Sequence, residues 1–380
     1  MSEGPASPLL PEGLRDRLPP EAEAASRVTR ALIDAMRSYG YARVAPPIAE
    51  FRETLSGRVG GGGDGEASGR DLLRFTDPVS RRTLAIRPDI TRQVGRITTS
   101  RLADAPRPLR LSYAGQILKL QASELWPERE MLQAGAELIG SDSAAAAAEI
   151  VNVAVMALAA AGVTGITVDF TLPDCVQALA AGALPVADGR LDEVKAALDG
   201  KDAGALQALG AAHYLPLIAA AGPFDAALAK LRAFDGSGVL TERLDALAAI
   251  AATLAGRATL TLDPTERHGF AYQSWFGFSL FVAGHSVTIG RGGSYRIIHP
   301  DGRQEAAIGF SLYPDPLIEA GLGTSHDAER RLFLPLTHDR AVAAQLRSDG
   351  WTTVAALNPN DDGRALGCTH RLAGSLPLPY

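Results

Sequence analysis

Cysteine is scarce in this chain. Two are found in 380 residues, Cys175 and Cys368, far apart. That excludes a disulfide framework and offers none of the paired spacings of a structural zinc site. Positive charge is not in excess either. Thirty-seven Lys and Arg face 43 Asp and Glu, for a formal net charge of −6. A protein whose main business is a nucleic-acid backbone concentrates Lys and Arg instead, and here only a local basic patch around Arg74, Arg81, Arg82 and Arg87 is left open. Long apolar runs are missing too. The longest, such as Ile150 to Val163, are alanine-rich and interrupted, so no membrane span is predicted. The opening residues, MSEGPASPLLPEGLRD, contain no apolar signal core, and a cytoplasmic location is expected. Four consecutive glycines stand in GRVGGGGDGEASG, residues 57–69. No Lys-Ser/Thr follows them, so the segment is not a P-loop and reads as a surface loop.

What remains is an ordinary globular composition, 46% hydrophobic and 21% charged, long enough for two or three domains and a sizeable core. Ala25, Val28, Leu32, Ala35 and Met36 recur at helical spacing behind Pro19-Pro20, which predicts a helix over Glu21 to Tyr39 stopped by Gly40. A short strand, Tyr41 to Val44, runs into Pro46-Pro47. Leu72 to Phe75 and Thr83 to Ile86 bracket Asp77-Pro78 as a hairpin. Arg87-Pro88-Asp89-Ile90-Thr91 follows at a strand end, where polar groups either meet a ligand or cap the next helix, over Arg92 to Ala103.

The stretch from Arg110 to Gly140 reads as two strands and a polar turn. In its second strand Gln133, Gly135 and Glu137 share one face, while Leu132, Ala134, Ala136 and Leu138 share the other. The apolar face is expected on a core. On the polar face a glycine between Gln and Glu leaves room for a ligand, although an ordinary core hairpin fits the pattern equally. Ser141-Asp142-Ser143 caps an alanine-rich helix to Ala161, and Ile166 to Phe170 is a strand. From about Asp174 to Gly256 the spacing is helical throughout, and strand character resumes at Ala258 to Leu262, so this module reads as an insertion. Strands are expected over Phe270 to Val282 and Ser286 to Gly290, followed by a tight glycine turn in Gly290-Arg291-Gly292-Gly293. Residues 331–380 carry a short βαβ pattern with a further element after Asp361.

The order of these motifs resembles the histidyl-tRNA synthetase family, over roughly residues 10–320. Pro11-Glu-Gly-Leu-Arg-Asp is followed by the Pro-Pro strand, Arg87-Pro88-Asp89-Ile90-Thr91, the Arg110–Gly140 hairpin, Gly269-Phe-Ala-Tyr and Gly292-Gly293-Ser294-Tyr295. The resemblance implies an α+β class II aminoacyl-tRNA synthetase-like fold, an antiparallel sheet flanked by helices. Its core would be 1–173 and 257–325, with a helical insertion at 174–256 and a small C-terminal α/β domain at 326–380. It also shows what is missing. The family's Phe-Arg-x-Glu reads Leu118, Lys119, Leu120, Gln121; Pro316 replaces the arginine of its third motif; His268 and Ser294 stand where two more arginines would be. Arginine forks grip phosphate and stabilise developing charge, so adenylate formation is expected to be lost. The amino-acid side is kept, and the resemblance assigns histidine binding to Asp89, Thr91, Lys119, Gln133, Glu137, Tyr272 and Tyr295. No cofactor or metal is implied.

A synthetase-like core without those arginines, and without a full anticodon-binding domain, is similar to the regulatory subunits of ATP phosphoribosyltransferase. That likeness implies a non-catalytic partner of a short catalytic subunit in the first step of histidine biosynthesis, with histidine as feedback effector. It also implies self-association as a dimer through about residues 21–50. Two rivals remain at this level. One is a divergent histidine-activating synthetase or ligase acting on a carrier other than full tRNA. The other is a scaffold that binds no ligand.

Overall fold

The computed structural model describes residues 10–56, 72–121, 128–267, 274–324 and 330–380. The chain divides into two units, Met1–Gly323 and Thr324–Tyr380. No helix among the described residues is long and apolar enough to cross a membrane.

The first unit is built on a nine-stranded sheet. From one edge its strands are Ala42–Arg43, Leu109–Leu118, Glu130–Ile139, Gln304–Leu312, Gly290–Ile298, Gly277–Val282, Ile166–Thr171, Thr259–Leu262 and Gly222–Pro223. Five central pairings are antiparallel, while Ala42–Arg43 runs parallel to Leu109–Leu118 and Thr259–Leu262 parallel to Ile166–Thr171. Helices Glu21–Ser38 and Ala144–Ala160 belong to the core on one face. Val28, Leu32 and Met36 join Ala147, Val151 and Ala154 in a single apolar cluster with Ala134, Ala136, Leu138, Ile308 and Phe310 of the sheet. The apolar face expected of the hairpin is thus where it was placed. Ser143 caps the second helix by accepting a hydrogen bond from Ala146 N at 3.3 Å.

Helix Thr91–Ser100 lies against the opposite face, where Ile90, Val94, Leu111, Tyr113, Ile117 and Met131 form a second cluster. A three-stranded sheet, in which Thr83–Ile86 lies between Ala49–Phe51 and Arg74–Thr76, leads into it. Between residues 174 and 256 the regular elements are helices, apart from the two-residue strand Gly222–Pro223.

Three expectations need correction. The strand expected over Ser286 to Gly290 instead spans Gly290–Ile298, so Gly292 and Gly293 lie inside a strand and make no turn. Packing is the reason: a Cβ on Gly292 would strike the Phe278 ring on the core face. Arg87 belongs to no surface basic patch, because it is 7% exposed. The pair Asp89 and Thr91 does not cap the following helix. Its N-cap is Ile90, with no side-chain capping bond, and both side chains are engaged elsewhere.

The second unit has a four-stranded sheet. Arg331–Leu334 runs parallel to both Thr352–Ala355 and His370–Ala373, and Leu376–Pro379 forms an antiparallel edge. Helix Arg340–Ser348 contributes Ala343 and Leu346 to a small core with Leu332, Leu334 and Leu372.

Candidate functional site

The site lies on the sheet face away from the two long helices, and strand register builds it. Residues opposite one another across a sheet share a face. Starting from Glu137, the partners across successive strands are Gly309, Gly293, Gly277 and then Thr171. Three strands in a row thus carry no side chain, and the floor there is a trough. Beside it runs a polar row: Tyr113 faces Gly135, then Ser311, Arg291, Ser279, Asp169 and Thr261 follow strand by strand. Asp89, Thr91, Glu137, Arg291, Tyr295 and Ser311 line a cavity of about 30 Å³ over this trough. That is close to room for two waters.

Glu137 is 1% exposed. Tyr295 Oη donates to one carboxylate oxygen at 2.8 Å and Tyr113 Oη to the other at 3.1 Å. The bonds feeding Tyr113 have a direction. Ile90 N donates to Gln133 Oε1 at 2.9 Å, which leaves the Gln133 amide nitrogen to donate to Asp89 Oδ2 and Ser311 Oγ, both at 2.8 Å. Ser311 Oγ, 2.9 Å from Tyr113 Oη, is then free to pass its own proton on. Thr91 Oγ1 also reaches Tyr113 Oη at 3.0 Å. Donors therefore point along the network towards Glu137. Even so, burial outweighs these bonds and pushes the Glu137 carboxyl up to about 8, with the Asp89 charge adding to the rise. Burial, with Glu137 beside it, drives the Tyr113 phenol far above its ordinary range and keeps it a donor.

Glycines on this face make room for protein groups. A Cβ on Gly309 would collide with the Glu137 carboxylate, and one on Gly135 would collide with the Tyr113 hydroxyl. The gap at Gly135, expected from sequence to accommodate a ligand, is thus taken by Tyr113. Gly115 plays the same part for the Arg87 guanidinium. Arg87 donates to Gln116 O at 2.7 Å and to Pro46 O at 2.9 Å, which pins the strand end that presents Asp89.

Of the seven residues expected to bind histidine, Asp89, Thr91, Glu137 and Tyr295 line the cavity. Gln133 stands behind them, 0% exposed, bonded to Asp89 and Ser311. Lys119 follows the end of strand Leu109–Leu118. Burial lowers its pKa, the nearby Arg291 charge lowers it further, and Asp89 opposes both. Tyr272 lies outside the described residues, as does the glycine loop at 57–69. The reading from sequence missed Tyr113, Ser311 and Arg291 as parts of the site. The signal was the period of two in Gly290–Ile298 and Gln304–Leu312, hidden by taking the glycines for a turn.

The positions that lack arginine do structural work. Ser294 Oγ contacts Ser274 Oγ at 2.8 Å and accepts from Phe276 N at 3.1 Å. Pro316 sits in the first turn of helix Asp315–Glu319, where its fixed φ suits helix initiation. Asp315 Oδ2 accepts from Leu132 N at 2.7 Å and Oδ1 from Arg17 at 2.7 Å, tying that helix to the hairpin. Among the described residues no group of His, Cys, Asp or Glu is arranged to hold a metal ion.

Comparisons with known proteins agree with this architecture. The family model for histidyl-tRNA synthetase matches residues 13–317. The ATP phosphoribosyltransferase regulatory subunit of Rhodospirillum centenum is 40% identical, the match covering 98% of this chain and 97% of that one. The protein of the same name from Paramagnetospirillum magneticum is 41% identical, with 98% of each chain covered. Among solved structures, an ATP phosphoribosyltransferase regulatory subunit/histidyl-tRNA synthetase from Bacillus halodurans has a TM-score of 0.77 at 23% identity, covering 96% of this chain and 97% of that one. The histidyl-tRNA synthetase of a Nostoc species has a TM-score of 0.76 at 15% identity, covering 97% and 91%. At such identities these structures are similar in fold alone.

Proposed function

This chain belongs to the family of ATP phosphoribosyltransferase regulatory subunits, on a histidyl-tRNA synthetase fold, and we propose that it senses free histidine for a short catalytic subunit of that enzyme. The catalytic chain would transfer the phosphoribosyl group in the first step of histidine biosynthesis. This chain would activate it and impose feedback inhibition when histidine fills the trough. A cytoplasmic location follows from that partnership.

One observation supports the reading above others. Asp89, held by the Gln133 amide, offers an acceptor to a cation in the cavity, while Ser294 and Pro316 are committed to local structure where the synthetases carry arginine. A site with the amino-acid half and without the nucleotide half suits sensing. Asp89, Thr91, Gln133, Glu137, Tyr295, Tyr272 and Lys119 are the histidine-binding set in this reading. Regulation requires histidine to prefer one arrangement of the complex, by ~1–3 kcal/mol.

We assign the core to 1–173 and 257–325, the insertion to 174–256 and the C-terminal domain to 326–380. Helix Glu21–Ser38 supports the dimer reading for 21–50: beside it lies a groove of about 650 Å³ lined by Ala25, Thr29, Ile33, Arg43 and Leu132. The decisive experiment mixes the purified chain with a short catalytic subunit and titrates histidine. The expected result is faster phosphoribosyl transfer on mixing and its loss as histidine is added. An unchanged rate in both arms sinks the proposal. Unchanged histidine sensitivity in Glu137→Ala would show that the family is right and the pocket wrong.

A further inference from the structure

We infer that the open face of the small three-stranded sheet docks the catalytic subunit, through an apolar centre and an arginine rim that suit an acidic partner surface. This rests on the proposed complex with that subunit. Register fixes what the face carries. Phe51, Leu84 and Phe75 stand opposite one another across the three strands, so they share one face as a row. Arg82, two residues before Leu84, lies on the same face with its guanidinium 3.5 Å from the centre of the Phe51 ring. The opposite face is the covered one. There Ala85 packs with Leu55 and Leu72, and Glu50 accepts from Gln93 at 2.9 Å and from Arg96 at 2.6 Å, both on helix Thr91–Ser100. Phe51, Leu84 and Phe75 belong to none of the apolar clusters among the described residues.

Exposure and charge both single out this sheet. Six large apolar side chains are exposed among the described residues of the first unit, and three of them, Ile48, Phe75 and Val79, belong to the sheet or adjoin it. Exposed apolar side chains gathered in one place mark an interaction surface, whereas scattered ones need no explanation. The hairpin of residues 74–86 carries three arginines, Arg74, Arg81 and Arg82, all exposed, and one acid, Asp77. Asp77 is committed to the turn: it accepts from Val79 N at 3.2 Å and from Ser80 N at 3.0 Å. Arg82 has an exposed ion pair with Glu53 at 3.6 Å, which water screens and which a partner's carboxylate replaces at little cost. Aromatic and arginine side chains around an apolar centre are the composition of interface hot spots. A local positive charge on a chain of net charge −6 selects a partner that presents carboxylates there. The groove that supports the dimer reading runs along helix Glu21–Ser38. It lies on the other side of the nine-stranded sheet from helix Thr91–Ser100, to which the small sheet is tied. Two copies meeting in that groove leave this face free for a different chain.

The test is the affinity of the full chain for a short catalytic subunit, with the mass of the chain alone followed by light scattering. Phe75→Ser and Arg82→Glu are each expected to weaken the association by about ten-fold or more and to leave the mass of the chain alone unchanged. Arg190→Glu, the same change of charge at an exposed site on the helical insertion, is expected to stay within about two-fold of wild type. Raising the salt concentration should weaken the wild-type association, and less steeply that of Arg82→Glu. Undiminished association in both variants overturns the inference. So does equal weakening by Arg190→Glu, which would make net charge alone responsible. A halved mass of the chain alone in either variant also overturns it, by making the face a contact between copies. Should both variants melt early, Val79→Asp decides, because a side chain 90% exposed at a turn can change without disturbing the fold: unweakened association there counts against the inference. Wild type that fails to associate with the catalytic subunit overturns the proposed complex and this inference together, whereas association that survives in the variants overturns this inference alone.

Discussion

Glu137 is where residue chemistry is most exposed to test. In the folded chain its carboxyl keeps a proton to about pH 8, against 4.5 for the ordinary value expected on unfolding. Between those values the folded state binds the extra proton, so this residue makes stability fall as pH rises. Glu137→Gln removes that slope. Urea unfolding of both proteins from about pH 5 to pH 8 should show the wild type losing ground to the variant by up to about 1.4 kcal/mol per pH unit. A constant difference would mean that Glu137 is ionised throughout. Gly309 is the second residue-scale test. Alanine there drives a methyl group into the Glu137 carboxylate, so Gly309→Ala should cost ~1–3 kcal/mol in stability and weaken histidine binding. Neither residue's role was legible alone. Gln133 and Glu137 could be picked out by their alternation, but the group that fills the Gly135 gap comes from Tyr113, on the neighbouring strand.

At the scale of the element, one helix end and one sheet edge carry predictions. After helix Leu191–Asp199, Lys201 takes φ +55°, a left-handed conformation that costs a side chain about 1 kcal/mol relative to glycine. Its ammonium offsets this through Asp263 and Thr265. Lys201→Gly and Lys201→Ala lose the same ammonium, so the glycine variant should unfold at higher denaturant by about 1 kcal/mol. Equal stability would show that the backbone there relaxes. The edge strand Leu376–Pro379 is apolar, with Leu376 65% exposed, yet it is poorly suited to recruit another strand. Tyr380 N bonds back to Thr369 O, which places residues 378 and 380 inward and turns Pro377 and Pro379 to the open side. Proline has no N–H to offer there. Replacing both by threonine should produce concentration-dependent association by light scattering while leaving the second unit's helix content intact.

For the whole molecule, the nine-stranded sheet separates two functions by face. One side carries the two long helices and the main core; the other carries the trough beside a smaller apolar cluster, and Tyr113 belongs to both that cluster and the polar network. Gly292 yields to Phe278 on one face and Gly309 to Glu137 on the other. The expectation at this scale is a complex: the chain should co-purify with a short catalytic subunit, and histidine should change the rate of that complex. Retained histidine binding without any association would leave the chain a binding protein with another purpose.

The sequence by itself determined the elements whose pattern is local. The helix Glu21–Ser38, the hairpin with its apolar face, the capped helix Ala144–Ala160 and the βαβ order of the second unit all follow from periodicity, caps and breakers within a few residues of themselves. Motif order then identified the family, and the places where arginine is absent. Only the tertiary structure decided that Gly290–Ile298 is a strand, that Gly309, Gly293 and Gly277 align into one trough, and that Ser311 and Arg291 stand in the row beside it. Those facts depend on register between strands far apart in the chain, such as Glu137 and Gly309, 172 residues apart, in one pair. The physical reason is that a residue's own neighbours in the chain set its backbone preference, whereas its partners across the sheet are set by burying every strand's apolar side on one core at once.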